Sequence, residues 1–147
     1  MGGPRRVIEA ALAALAIEGL AIEAASPIIS SPPLGPSLRR YANAVAIVTG
    51  NLAPPVLLAL LQSVERAFGR KRRGRRWRAR PLDLDIVLWS RGVWRTPTLA
   101  IPHPEFRRRD FVLGPASDIA ARWRDPETGL SIAQLHARLT AQRPLPR

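Results

Sequence analysis

The chain has 147 residues, of which 46% are hydrophobic, with 15 prolines, 10 glycines, no cysteine and a formal net charge of +12. That length and apolar fraction suit a single folded domain with its own core and argue against wholesale disorder, while the lack of cysteine excludes disulfides and thiol chemistry. A charge of this size attracts polyanions, which leaves nucleic acid, an anionic membrane or a polyphosphate substrate as partner classes.

Pro4 suits a first helical turn, and Ile8, Leu12, Leu15 and Ile17 recur at helical spacing, so a helix is expected over 5–18, closed near Gly19. The stretch 7–22, VIEAALAALAIEGLAI, is interrupted by Glu9 and Glu18 and does not read as a signal peptide. No run reaches the length of a membrane span, and the cytoplasm is the default location. Residues 20–29 predict a strand entering a loop, and 30–37, SSPPLGPS, are turn material. The run 41–49, YANAVAIVT, predicts one strand buried on both faces, and Pro54–Pro55 open a second helix to about Phe68.

The segment 70–80, RKRRGRRWRAR, carries eight of the 23 Lys and Arg residues and has no period that builds a core, so it is expected to be a loop. After it comes PLDLDIVLW (81–89), a run of strand length and composition interrupted by Asp83 and Asp85. On a strand both carboxylates leave one face, while Leu82, Leu84 and Ile86 leave the other. Arg91–Gly92 predicts a hairpin-like turn into a short extended piece at 93–96, and IPHP at 101–104 another turn. Residues 111–113 predict a short extended segment, and 131–139 a last helix with Ile132, Leu135 and Leu139 inward. Helices alternating with strands predict a two-layer α/β sandwich.

Several residues carry candidate chemistry. Mg²⁺ takes hard oxygen ligands at about 2.1 Å, often from one or two carboxylates, and completes its shell with water and phosphate. Asp83 and Asp85 fit that demand, and the alternative is an exposed face salt-bridged to the arginines before them. The basic segment reads as a solvated face, as a nucleic-acid contact with Trp77 stacking a base, or as a flap over a nucleotide polyphosphate. His103, held between two prolines, suits a donor to phosphate, and Arg107, Arg108 and Arg109 form a second basic cluster. Tyr41 and Phe111 are core aromatics or a pair that stacks a flat ring. Asn43 shares a strand face with Tyr41, where a buried amide needs partners.

GRKRRGRRWRARPLDLDIVLW (69–89) followed by IPHPEFRRRDFVLGPASDIA (101–120), with PPLGP (32–36) and YANAV (41–45) ahead of them, resembles the 6-hydroxymethyl-7,8-dihydropterin pyrophosphokinase family of folate biosynthesis. The resemblance implies an α+β, ferredoxin-like two-layer sandwich over 1–147 with a mixed or antiparallel sheet, and a mobile loop at about 70–80. It implies an ATP-dependent pyrophosphokinase that transfers pyrophosphate from ATP to the reduced pterin, working as a monomer on small molecules without membrane or nucleic acid.

By matching position, Asp83 and Asp85 would ligate two Mg²⁺, with Arg70 and Arg80 catalytic beside them. Arg72, Trp77, His103 and Arg109 would hold the nucleotide. Ser31, Pro32, Leu34, Tyr41, Asn43 and Phe111 would hold the pterin, and Glu65 matches an acidic position lining the site. The family opens on a strand and a GSNLG-like turn, where this sequence reads MGGPRRVIEAAL. A chain without that strand is expected to have an opening in its core. The rival readings are an inactive relative and a basic nucleic-acid-binding domain.

Overall fold

The computed structural model describes residues 3–31, 41–70 and 82–141, with the side chains of Ser31 and Arg70 outside the description. In chain order the elements are α1 (Pro4–Ile17), β1 (Ala21–Ala25), β2 (Ile29–Ser31), β3 (Tyr41–Asn43), β4 (Ala46–Thr49), α2 (Pro54–Arg70), β5 (Trp94–Thr96), β6 (Leu99–Ile101), a 3₁₀ turn (Phe106–Arg108), α3 (Asp110–Ala120) and α4 (Ile132–Ala141). The class is α+β, as expected. The strands pair antiparallel as β1–β4, β2–β3 and β5–β6, three two-stranded pieces among the described residues.

The first helix begins at Pro4, whose missing N–H costs nothing there, and it ends before Gly19, which takes φ 102°. The single strand expected over 41–49 is instead two, paired with two different partners. The break faces the connection between β1 and β2, where Pro27 has no N–H to donate. The buried Ser26 bridges the break, accepting from Val45 N with its hydroxyl at 2.9 Å and donating its own N–H to Val45 O at 2.8 Å.

Two apolar clusters form. Ala11, Leu15, Leu20, Leu61, Val64 and Leu82 join α1 and α2, whereas Phe106, Leu113, Ala116, Ile132 and Leu135 join α3, α4 and the 3₁₀ turn. Residues 110–120 are helical, so the extended segment expected at 111–113 is corrected. Gly114 and Pro115 disfavour a helix locally, yet Leu113, Pro115 and Ala116 are all buried, and packing overrides propensity. The last helix starts at a reciprocal cap, in which Gln134 N–H donates to Ser131 Oγ at 3.1 Å and Ser131 N–H donates to Gln134 Oε1 at 2.8 Å.

Where a strand is expected at 81–89, residues 82–89 form no ladder and no regular element. Its alternation is as predicted: Leu82 is buried, Leu84 and Ile86 pack on the first cluster, and Asp83 and Asp85 are exposed. Val87 and Leu88 pack on the second cluster, so this one stretch touches both cores. The turn at 91–92 forms, but the strand after it pairs onward with β6 rather than back on 82–89.

A cleft of about 1730 Å³ is lined by residues 41–50 and 82–90 and by apolar faces of α1, α2 and α3. Within the second core, Leu113→Ala is expected to lower the unfolding free energy by about 3 kcal/mol. Ile17→Ala, at a side chain 83% exposed, should stay within about 0.5 kcal/mol. Urea titration of both variants checks this.

Candidate functional site

The site is assembled on the cleft from four places in the chain. From α2, the Glu65 carboxylate accepts the Leu84 N–H at 2.6 Å, which fixes the backbone between the two aspartates. With Leu82 buried beneath, the exposed side of the segment presents Asp83 and Asp85.

A turn anchored by the buried Ile101 and Pro102, joined by a cis peptide, carries His103. The His103 N–H donates to Val87 O at 3.0 Å, tying the turn to the aspartate segment. Its ring Nδ1 accepts the Glu105 N–H at 3.1 Å. An accepting Nδ1 places the ring proton on Nε2, and Nε2 lies 3.8 Å from Asp85 Oδ2. Arg109, the residue preceding α3, brings its Nη1 to 4.0 Å from the same oxygen. Its guanidinium carbon stands 5.7 Å from the centre of the Phe111 ring. Asp85 remains 52% exposed beside these two basic groups.

The aromatics expected to hold a flat ring, Tyr41 and Phe111, are 38% and 37% exposed and border the cleft with Asn43. Asp85 and His103 also border a second cavity of about 320 Å³, lined by the β5–β6 hairpin at 96–100 and by Leu58 and Ile86. Sequence reasoning missed this second space, because the hairpin that shapes it carries no motif of its own.

The structure thus gathers Asp83, Asp85, His103, Arg109, Tyr41, Asn43 and Phe111 on one cleft. Ser31 is placed by its backbone, opposite Tyr41 in the β2–β3 pair. Arg70 closes α2, and its side chain lies outside the described residues, as do Pro32, Leu34, Arg72, Trp77 and Arg80.

Two exposed carboxylates spaced two apart, with phosphate-compatible cations nearby, are a donor set that suits Mg²⁺. Among the described residues no group of three or more His, Asp or Glu side chains could hold a metal, and a pair is sufficient where substrate oxygens complete the shell.

A further residue escaped the sequence altogether. Asp125 is 0% exposed, and both of its oxygens receive Arg107, Oδ2 from Nε at 2.5 Å and Oδ1 from Nη2 at 2.8 Å. Thr128 Oγ1 donates at 2.8 Å and Glu127 N–H at 3.0 Å, while Arg107 Nη2 also donates to Glu127 Oε1 at 2.7 Å. The Arg107 hydrogen bonds hold the Asp125 carboxyl below the usual carboxylate range, against the opposing effect of burial, with a smaller contribution from Thr128. Arg107 is shifted upward by the same pair.

A family model described as 7,8-dihydro-6-hydroxymethylpterin-pyrophosphokinase (HPPK) matches residues 1–121. The chain is 42% identical over 126 residues to the 2-amino-4-hydroxy-6-hydroxymethyldihydropteridine pyrophosphokinase of Pseudomonas aeruginosa, covering 84% of this chain and 77% of that protein. Proteins of the same name from Synechocystis and Haemophilus influenzae are 37% identical over 129 residues and 38% over 120. Those alignments take in 87% and 80% of this chain, and 66% and 74% of the relatives' own lengths. The chain belongs to the HPPK family. Family and relatives alike are named as pyrophosphokinases, transferases that act on a pterin. No described helix is long and apolar enough to cross a membrane.

A folded-state pKa held below the unfolded value stabilises above that unfolded value and is lost as pH falls through the folded one. Asp125 is therefore expected to contribute fully above about pH 4 and progressively less in stronger acid. Denaturation between pH 2 and 7 should show Asp125→Asn to be less stable at neutrality and flatter in acid than the parent chain.

Proposed function

We propose that the chain transfers pyrophosphate from ATP to the hydroxymethyl group of 6-hydroxymethyl-7,8-dihydropterin, giving AMP and the pterin pyrophosphate for folate biosynthesis, with Mg²⁺ required. The observation that carries this reading is the position of Asp85, which borders two cavities and has His103 and Arg109 beside it. A reaction between two substrates needs its acceptor and donor to meet at a shared wall, with reacting atoms about 3–3.5 Å apart.

The larger cleft supplies the pterin side. Tyr41 and Phe111 offer ring faces for an aromatic heterocycle, and Asn43 offers an amide for its ring nitrogens. The smaller cavity, lined by Leu58, Ile86, Thr96 and Thr98 among others, is taken as the nucleoside side, which leaves the triphosphate to pass Asp85. Arg109 and the Nε2 proton of His103 lie where they would orient phosphate oxygens and offset charge that grows in the transition state. On the family resemblance, Ser31, Pro32 and Leu34 join the pterin side. Arg70, Arg72, Trp77 and Arg80 join the nucleotide side on the same grounds.

In the step itself the pterin hydroxyl oxygen bonds to the β-phosphorus, and the bond from that phosphorus to the oxygen bridging to the α-phosphate breaks. AMP leaves with that oxygen, and the hydroxyl proton goes to solvent. Two Mg²⁺ held by Asp83 and Asp85 would neutralise the phosphates and make the hydroxyl easier to deprotonate.

AMP formation from ATP should require both pterin and Mg²⁺, and Asp83→Ala and Asp85→Ala should each lower kcat by about 10²-fold or more. Chromatographic measurement of AMP decides it. Undiminished turnover in either variant would remove the metal assignment. Salt-sensitive RNA binding that survives both substitutions, with no AMP formed, would favour the nucleic-acid reading.

A further inference from the structure

We infer that Asp125 is a positioning residue for the transfer step, acting through Arg107 to hold Arg109 against Asp85. The inference rests on the function proposed above for the site.

The stretch 103–109 carries both basic groups that face Asp85; its ends are tied by backbone bonds, from His103 N–H to Val87 O and from Val112 and Leu113 N–H to Arg109 O, and a 3₁₀ turn lies between them. The 3₁₀ turn is three residues long, and its bonds run from Phe106 N to His103 O and from Arg109 N to Phe106 O, both 3.3 Å, and from Arg108 N to Glu105 O at 3.1 Å. Such turns have poorer hydrogen-bond geometry than an α-helix and rarely persist on their own. Two side chains anchor the turn beside these bonds. Phe106 is 0% exposed in the second core, and Arg107 is clamped by a two-pronged bond to Asp125.

Asp125 makes a rigid reference point. Each of its oxygens accepts two hydrogen bonds, from Arg107 and Glu127 N–H on one side and from Arg107 and Thr128 Oγ1 on the other. Its own backbone is tied across the loop, with Asp125 N donating to Leu130 O and Gly129 N donating to Asp125 O, both at 2.8 Å. That loop runs directly into the capped start of α4, whose Ile132 and Leu135 are buried in the same core as Phe106.

The three consecutive arginines are thereby divided among separate tasks. Arg107 is neutralised by Asp125 and Glu127 and does not line the cleft, Arg108 pairs with Glu105 at 2.6 Å, and Arg109 faces Asp85. A planar fork can grip both oxygens of one carboxylate, which a lysine cannot do. Loss of the clamp would let the turn shift beneath Arg109, and a misplacement of about 1 Å can cost about 10²-fold in rate.

The test is a double-mutant cycle in the full chain with ATP, Mg²⁺ and pterin, with thermal unfolding run beside it to confirm that each variant is folded. Asp125→Asn should lower kcat about 10-fold in the parent chain and less than about 2-fold in an Arg109→Ala background, because coupled groups are not additive. Arg107→Lys should fall between parent and Asp125→Asn. The same cycle is read by calorimetry with an ATP analogue bearing a methylene between the α- and β-phosphorus. Equal losses in both backgrounds, or an unchanged kcat and affinity in folded Asp125→Asn, would overturn the inference. Should Asp125→Asn not fold, Thr128→Val, which removes one donor to Asp125, is judged by the same criterion. A parent chain that binds the analogue but forms no AMP would sink the proposed reaction and leave the positioning inference to be decided by the calorimetric cycle.

Discussion

Leu82, Leu84 and Ile86 pack into the cluster between α1 and α2, and this one-sided burial turns Asp83 and Asp85 outward. The magnitudes are unequal. Fully burying a side chain of this size contributes about 1.5–3 kcal/mol, so the buried Leu82, with the half-buried Leu84 and Ile86 adding to it, outweighs the roughly 0.2–1 kcal/mol by which two like charges on one strand face oppose each other. A slip of one residue would exchange the two faces and put both carboxylates into apolar surroundings, so the register is strongly specified. The Glu65 bond to Leu84 N–H reinforces it from the helix below, satisfying a donor that no strand ladder takes up.

The same stretch continues into the second cluster through Val87 and Leu88, and the His103 N–H meets it at Val87 O. Acid and base groups of the site therefore share a backbone connection rather than relying on side-chain reach. The cleft between the cores leaves β4 paired with β1 alone among the described residues. The segment carrying the aspartates is held by side-chain burial and two hydrogen bonds in place of a sheet. Position at the site thus depends on packing in two separate clusters, one fixing Asp83 and Asp85, the other fixing Arg109 and Phe111.

Local pattern made α1, α2 and α4 legible, because each has apolar residues at helical spacing and a Pro, Gly or Ser–Gln signal at an end. Period two did the same for 82–86, down to which side chains face solvent. What escaped depends on residues distant in sequence. The break in 41–49 faces the connection between β1 and β2 that holds Pro27, which no window around residue 45 contains. Helix α3 is written against its own Gly114–Pro115 and exists through its contacts with α4. Arg107 and Asp125 are 18 residues apart, and nothing near either one marks the other as its partner. Of the site, the acids and the PHP turn were readable as motifs, whereas the second cavity emerges only once β5 and β6 pair behind Asp85.

The balance of charge separates a polyphosphate site from a nucleic-acid groove. A net charge of +12 draws any polyanion toward the chain. A protein that neutralises nucleic-acid phosphates gains affinity from each cation and loses it to each nearby carboxylate. Here two carboxylates follow the basic segment in the sequence, and a third, Glu65, is bonded to the backbone between them. Several of the described arginines are already committed, Arg95 to Glu127, Arg107 to Asp125, Arg108 to Glu105 and Arg124 to the Gly129 carbonyl. An arriving phosphate would therefore meet Asp83 and Asp85 together with Arg109 and His103, and a bare polyanion would be opposed there. An anion that brings its own divalent counter-ions reverses the sign at the aspartates and keeps the attraction to the arginine and histidine. Magnesium-bound ATP has that character, and a nucleic-acid backbone with its loose monovalent atmosphere does not.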